Sequence, residues 1–401
     1  MNRLQDPSVT AELSQGETSV RRRSLAAAGS AHAVHDGLTD VIYVLLPLWQ
    51  AQFGLSYAQV GLLRGAYAAM MAGFQLLASR AARYGGRERL LVGGTLLAGL
   101  AYLLMAQAGG LALLLVALLL GGLGASTQHP LASALVVEAH EAGGGVKAAL
   151  AQYNFAGDIG KALIPGLVGV LLIVVDWRTS VLLLGGLGLA AAALLQWLLP
   201  PPGALCASAP GRAASVGTGS VSGLRALLGI GILDSAVRMG FLTFLPFVLQ
   251  GKGAGTAGIG LALALLFVGG AFGKLLCGYL GARIGMLKTV WLTESATALL
   301  IVLALFLPLS ATLVMLPLLG LVLNGTSSVL YGAVPDLAGA GKREQAFALF
   351  YTGTIGGGAL APVVFGRLGD GLGVPVAVML LAALLLSVLP LAWQVDKGLA
   401  R

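Results

Sequence analysis

Charge is scarce in this sequence. Of 401 residues, only 10% are Asp, Glu, Lys or Arg, against roughly 25% in soluble domains. A water-soluble globule of this length could not cover its apolar surface, so lipid must be the solvent for much of the chain. Cysteine is almost absent. Cys206 sits in a Pro/Ala/Ser stretch and Cys277 in an apolar run, so two unpaired thiols are expected and a disulfide framework is excluded. There is no G-x-S-x-G, no P-loop and no clustered metal-ligand motif. The chain therefore reads as no enzyme, with no cofactor, no bound metal and no intrinsic ATP drive.

What fills the sequence instead is apolar: 57% hydrophobic residues and 60 glycines. Small residues let membrane helices approach closely. Runs of spanning length recur near 30–52, 57–79, 88–108, 111–137, 147–174, 179–199, 223–250, 256–280, 288–308, 312–335, 344–367 and 372–394. This predicts an all-α membrane protein of twelve transmembrane helices. Short connections make neighbours antiparallel. The expected organisation is a cytoplasmic tail (1–29), a six-helix bundle (30–199), a cytoplasmic linker (200–222), a second six-helix bundle (223–395) and a short tail (396–401). The first tail is polar, carries Arg21, Arg22 and Arg23, and lacks the pattern of a cleaved signal peptide. The linker is rich in Pro, Gly and Ser.

With the N-terminus inside, the inside segments hold 17 of the 24 basic residues: Arg3, Arg21, Arg22, Arg23, Arg80, Arg83, Arg87, Arg89, Lys147, Arg212, Arg225, Arg283, Lys288, Lys342, Arg343, Lys397 and Arg401. The outside segments hold Arg178, Lys252 and Arg367. Both termini are expected in the cytoplasm. The same asymmetry accounts for the net charge of +8 without a nucleic-acid partner.

The two bundles echo each other. Pro47 in "DGLTDVIYVLLPLW" answers Pro246 in "SAVRMGFLTFLPFV". Arg83 and Gly85 after span 2 answer Arg283 and Gly285 after span 8. Pro165 in "GDIGKALIPG" answers Pro362 in "GTIGGGALAPV". The offsets are 199, 200 and 197, which indicates a duplicated six-helix unit.

At a bilayer centre a charged side chain costs about 2.5–3.5 kcal/mol on insertion scales, so such residues turn toward the bundle interior or a wet cavity. In span 1, His32, Asp36 and Asp40 stack at four-residue spacing, with His35 and Thr39 as a neighbouring stripe. A ladder of titratable groups suits proton movement, and Asp40, Asp36, His35 and His32 are the proton-coupling candidates. The alternative for His32 and His35 is the wet membrane surface, and for Asp40 a hydrogen-bonded helix anchor. In span 4, Gln128 and His129 precede Pro130, which frees the Ser126 carbonyl and bends the helix. In span 5, Asn154, Asp158 and Lys161 share a face, and Asp158 can pair with Lys161. Span 7 offers an Asp234–Arg238 pair, span 2 Arg64, and span 10 Asn324, either a cavity donor or a packing residue. These nine (His129, Gln128, Asn154, Asp158, Lys161, Asp234, Arg238, Arg64 and Asn324) are the substrate-binding candidates. Arg83, Arg283, Gly85, Gly285 and Lys274 are candidates for gating. Glu294 in span 9 reads as structural. A His/Asp metal site from spans 1 and 4 is the alternative to no metal.

In "SRAARYGGRERLL", "GYLGARIGMLK", "GDIGKALIPG" and "LNGTSSVLYGAVPDL" the chain resembles a major facilitator superfamily transporter over about residues 30–395. The first copy of the loop motif departs from the family pattern, since Ser79 stands where an acidic residue usually precedes Arg80. "GASTQHPLAS", "YNFAGDIGKALIPG" and the His/Asp-bearing first span are similar to the fosmidomycin-resistance-like branch. The resemblance implies a monomeric, proton-coupled exporter of a drug or metabolite in a bacterial inner membrane. Its cavity would be formed by spans 1, 4, 5, 7, 8 and 10, with alternating access by rocking of the halves. Uptake of an organic anion or metal chelate, and a non-transporting sensor, are the alternatives.

Overall fold

The structure is a computed structural model, which describes residues 7–141, 145–200, 220–338 and 343–399. Among the described residues, fifteen helices make twelve antiparallel rods. The first six are α1 (Pro7–Phe53), α2 (Tyr57–Gly73) with α3 (Gln75–Gly85), α4 (Arg87–Ala106), α5 (Leu111–Ala125) with α6 (Gln128–Glu141), α7 (Val146–Leu171) and α8 (Trp177–Leu198). The second six are α9 (Val221–Gly251), α10 (Thr256–Ile284), α11 (Met286–Phe306), α12 (Leu309–Leu337), α13 (Arg343–Leu372), and α14 (Val374–Leu385) with α15 (Val388–Leu399). Among the described residues, nine spans are long and apolar enough to cross a membrane, or ten if the bent pair α2–α3 counts as one. The two remaining rods are α1 and α7, which carry Asp36, Asp40, Asp158 and Lys161 within their lengths.

Three expected spans are broken. Span 2 bends by 43° between α2 and α3. Span 4 stops at Ser126–Thr127 and restarts as α6, with Pro130 in the first turn, where a missing N–H costs nothing. Span 12 breaks between α14 and α15.

The first span is longer than its apolar stretch. α1 begins at Pro7, not near 30, because the alanine-rich run 25–33 favours helix. Ser24, Ala27, Ala28 and Ala31 are buried, the alanines against Leu131, Leu135, Tyr153 and Leu195. Arg23 donates to the carbonyls of Trp197, Leu198 and Leu199, which caps the C-terminus of α8. The linker, apart from its ends, lies outside the described residues, as do Cys206, Arg3, Arg212, Lys342 and Arg401. Cys277 is a buried free thiol.

Ser220, Leu337 and Gly398 meet at what we call the near end; Phe53, Tyr57, Thr256 and Leu372 mark the far end. The halves are joined mainly by two seams, α2 on α13 and α7 on α10. In both, glycine lets backbones touch. A Cβ on Gly61 would collide with the Pro362 carbonyl, and one on Gly260 would lie 2.7 Å from the Pro165 carbonyl. Gly260 and Gly61 are 199 positions apart, the offset of Pro246 from Pro47. At the far end Tyr57 packs edge-on to Phe247, with centroids 5.3 Å apart. Asp370 accepts from the backbone N–H of Tyr57 (2.6 Å) and of Ala58 (3.1 Å), so α13 caps the first turn of α2.

Two of the three basic residues expected outside act as caps as well. Arg178 donates to Ala108 and Lys252 to Leu305 and Leu307, at the C-terminal ends of α4 and α11.

Candidate functional site

The polar ladder of α1 turns inward. His32, His35, Asp36, Thr39 and Asp40 are all buried, so the surface reading of the two histidines is corrected. Glycine again sets the geometry. A Cβ on Gly160 would strike the Ala33 carbonyl, and one on Gly157 would lie 2.6 Å from His32 and 2.8 Å from Asp36. Without those side chains α7 lies close on α1, which brings Lys161 to Asp36.

Asp36 is the hub. Its Oδ2 lies 3.1 Å from His32 Nε2 and 3.3 Å from Lys161 Nζ, and its Oδ1 is 3.7 Å from His129 Nε2. His32 Nδ1 sits 2.9 Å from the Tyr153 carbonyl oxygen. A carbonyl only accepts, so that nitrogen carries the hydrogen. His32 stacks on Tyr153, with ring centroids 4.1 Å apart. His129 meets the rings of His32 and His35 edge-on at 5.1 and 5.3 Å. His35 Nε2 is buried without a partner, as are both amide atoms of Gln128. Asn154 is exposed on α7 and joins none of these contacts.

Asp158 and Lys161 do not pair with each other. Asp158 reaches across the seam to Lys274 of α10 at 2.6 Å, while Lys161 goes to Asp36. Helical spacing places both on one face, but the neighbours on either side of that face take them apart.

One turn beyond Asp36, Asp40 makes no ion pair among the described residues, and it lies in the field of Lys161 and Arg64. Arg64 is 2% exposed. Its guanidinium lies 4.7 Å from the Tyr43 ring centroid and 5.8 Å from that of Tyr67. One nitrogen reaches Met239 of α9 at 4.0 Å, while Nε and Nη1 have no partner. Thr39 and Tyr67 share a 2.9 Å hydrogen bond.

The second half holds a separate cluster. Arg238 donates to Asp234 at 2.9 Å, as the spacing predicts. Glu294, read as structural, is 1% exposed, has an unpartnered Oε1, and feels the charges of Asp234 and Arg238. Its neighbours are the span 7 pair and not the α1 ladder. The sequence holds a signal for it: a lone acid inside a span next to Thr289, Thr293 and Thr297, all buried with it. Asn324 donates to the Gly320 carbonyl at 3.2 Å and lies against Gly270 of α10, which is the packing role.

Of the gate residues, Arg83 is exposed and makes no ion pair among the described residues. The ion pair in its loop belongs to Arg87 and Glu138 (2.5 Å). Arg283 stacks over Tyr279 at 5.1 Å. Gly285 has a φ of 83°, and its geometric counterpart is Gly86, also at 83°, rather than Gly85. Only glycine enters that region readily.

Solved structures of the same fold include a bacterial homologue of the human lysosomal transporter Spinster, inward-facing and occupied. The identity is 16% and the TM-score 0.77, over 94% of this chain and 97% of that one. The same homologue, inward-facing and unoccupied, gives 15% and 0.74, over 95% and 98%. A variant of the nucleoside transporter NupG gives 12% and 0.75, over 94% and 99%. No curated protein matches the chain. The family model described as Major Facilitator Superfamily matches residues 29–229 and again 227–398, so nearly the whole span region is covered and the chain belongs to the major facilitator superfamily.

Proposed function

We propose that this protein is a proton-coupled exchanger that exports a small amphipathic or anionic compound by alternating access. The observation that carries the reading is Asp40: a carboxyl buried on α1, without an ion pair among the described residues, in the field of Lys161 and Arg64. A carboxyl tied to a cation is held in one charge state. One left untied inside a span can exchange a proton and so report on which side of the membrane it faces.

The rest of the cycle follows from the seams. With the basic near end in the cytoplasm of a bacterial inner membrane, the halves meet at the outside and the site faces inward. Rocking about the α1–α7 and α9–α13 bodies would part the α2–α13 and α7–α10 seams at the far end. Arg64, Arg238 and Lys161 supply positive charge for an acidic group on the substrate.

A second reading, uptake of an organic anion or of a metal chelate, is favoured by Arg64. Its two unpartnered nitrogens beside Asp40 suit an anion that binds when Asp40 is neutral, which would move proton and anion together.

Inside-out vesicles decide between the two. An exporter loads vesicles that are acidified inside, and a co-transporting importer does not. Asp40→Asn is expected to abolish the response to the pH gradient at equal membrane expression. Substrate flux indifferent to both the gradient and Asp40→Asn would sink the coupling. The substrate screen is growth of a pump-deficient bacterium on a compound panel that includes fosmidomycin.

A further inference from the structure

The hub at Asp36 gathers two imidazoles and a carboxylate, a set that suits a metal ion as well as a proton. His32 Nδ1 donates to the Tyr153 carbonyl, so in the neutral ring the lone pair sits on Nε2. That lone pair points at a carboxylate oxygen 3.1 Å away. In that neutral ring two acceptors face each other, an arrangement that a proton on Nε2 or a metal ion between them satisfies. Lys161 Nζ lies 3.3 Å from the same oxygen.

We propose that His32, Asp36 and His129 form a binding site for a divalent transition-metal ion, with Lys161 as the built-in competitor for Asp36. The three ligand atoms all lie within 4.8 Å of one another. Metal–ligand bonds of about 2.0–2.1 Å in a tetrahedron set ligand atoms about 3.3 Å apart. Asp36 meets His32 through Oδ2 at 3.1 Å and His129 through Oδ1 at 3.7 Å, so a small turn of the carboxylate would present one oxygen to an ion held by both imidazoles. The backbone acceptor behind His32 is the arrangement that orients a metal-bound imidazole. Two nitrogens and one carboxylate oxygen suit Zn²⁺, Co²⁺ or Ni²⁺, whereas Mg²⁺ and Ca²⁺ want more oxygen. His129 is 39% exposed at its side chain, which leaves a way in and room for a water or a substrate atom as a further ligand. Lys161 can yield, because Asp40 and Asp158 also lie within its electrostatic reach. This site is independent of the direction and coupling proposed above.

The test uses the full-length protein purified in detergent, titrated with Co²⁺ and read by its visible absorption, with Zn²⁺ displacement followed by calorimetry. One saturable equivalent is expected, unaffected by excess Mg²⁺. His129→Gln should weaken it by about tenfold or more, and Lys161→Met should tighten it. His129→Gln changes a half-exposed side chain and should elute as wild type. If it does not fold, Lys161→Met still reads the competition. No saturable binding to wild type would overturn the proposal. So would an affinity unchanged by Lys161→Met, or by a folded His129→Gln.

Discussion

The two seams between the halves are built alike and equipped differently. In each, a proline-bearing helix (α7 or α13) lays its backbone on the glycines of a partner (α10 or α2). The α7–α10 seam carries the Asp158–Lys274 ion pair deep in the span. By the repeat offsets of 199 and 197, the positions that answer Lys274 and Asp158 are Gln75 of α3 and Ile355 of α13, and no ion pair joins α2 or α3 to α13 among the described residues. What α2–α13 has instead is a cap at its far end, Asp370 on Tyr57 and Ala58. Packing and a backbone cap close one seam, while the other ties its closure to a charge contact beside Asp36 and Asp40. The first is suited to sealing and the second to sensing what occupies the site.

That contrast can be broken at its strongest point first. Gly61→Ala sets a methyl on the Pro362 carbonyl, and overpacking of this kind costs about 1–3 kcal/mol. The far end should open, and a thiol at Ala58→Cys, in a background without Cys206 and Cys277, should react about tenfold faster or more. Gly260→Ala should do the same through the other seam, to a smaller extent, since its nearest contact is less severe. Lys274→Met removes the charge contact and leaves Asp158 alone. Breaking a fully buried pair costs about 3–5 kcal/mol, but Lys274 is 40% exposed, so about 1–2 kcal/mol is expected here. Transport should fall with Lys274→Met and return in part when Asp158→Lys is combined with Lys274→Asp. Full activity in Lys274→Met would show that the two seams are equivalent. The smallest effect should come from Asp370→Ala, because a lost cap is worth about 1 kcal/mol. It should raise Ala58→Cys reactivity a few-fold and leave the proton dependence untouched.

Much of this was legible in the sequence because one physical quantity governed it. Apolar length gave twelve rods, and a 3.6-residue period put His32, Asp36 and Asp40 on one inward face. Proline and glycine recurring at a near-constant offset gave the duplicated half. What stayed hidden depended on which helix lies opposite. The spacing of Asp158 and Lys161 says that they share a face, not that Lys274 and Asp36 wait on either side. The threonines around Glu294 hint at a buried acid, but not that the span 7 pair is its neighbour. Pro130 announced a bend, but the break fell at Ser126–Thr127, where the chain lets proline take a first-turn position. The extension of α1 to Pro7 was missed for the opposite reason: its near part is held by alanine propensity and the Arg23 cap, not by hydropathy.

The seams also carry a record. Gly61 meets Pro362, and Gly260 meets Pro165; shifted by the repeat, each contact is the other read backwards. That reciprocity is the signature of an isologous interface, in which a patch on one subunit pairs with the same patch on its twin. The interior of this chain therefore has the plan of a symmetric homodimer, drawn within one polypeptide. The Asp36 ion pairs of the first half are where the two patterns differ.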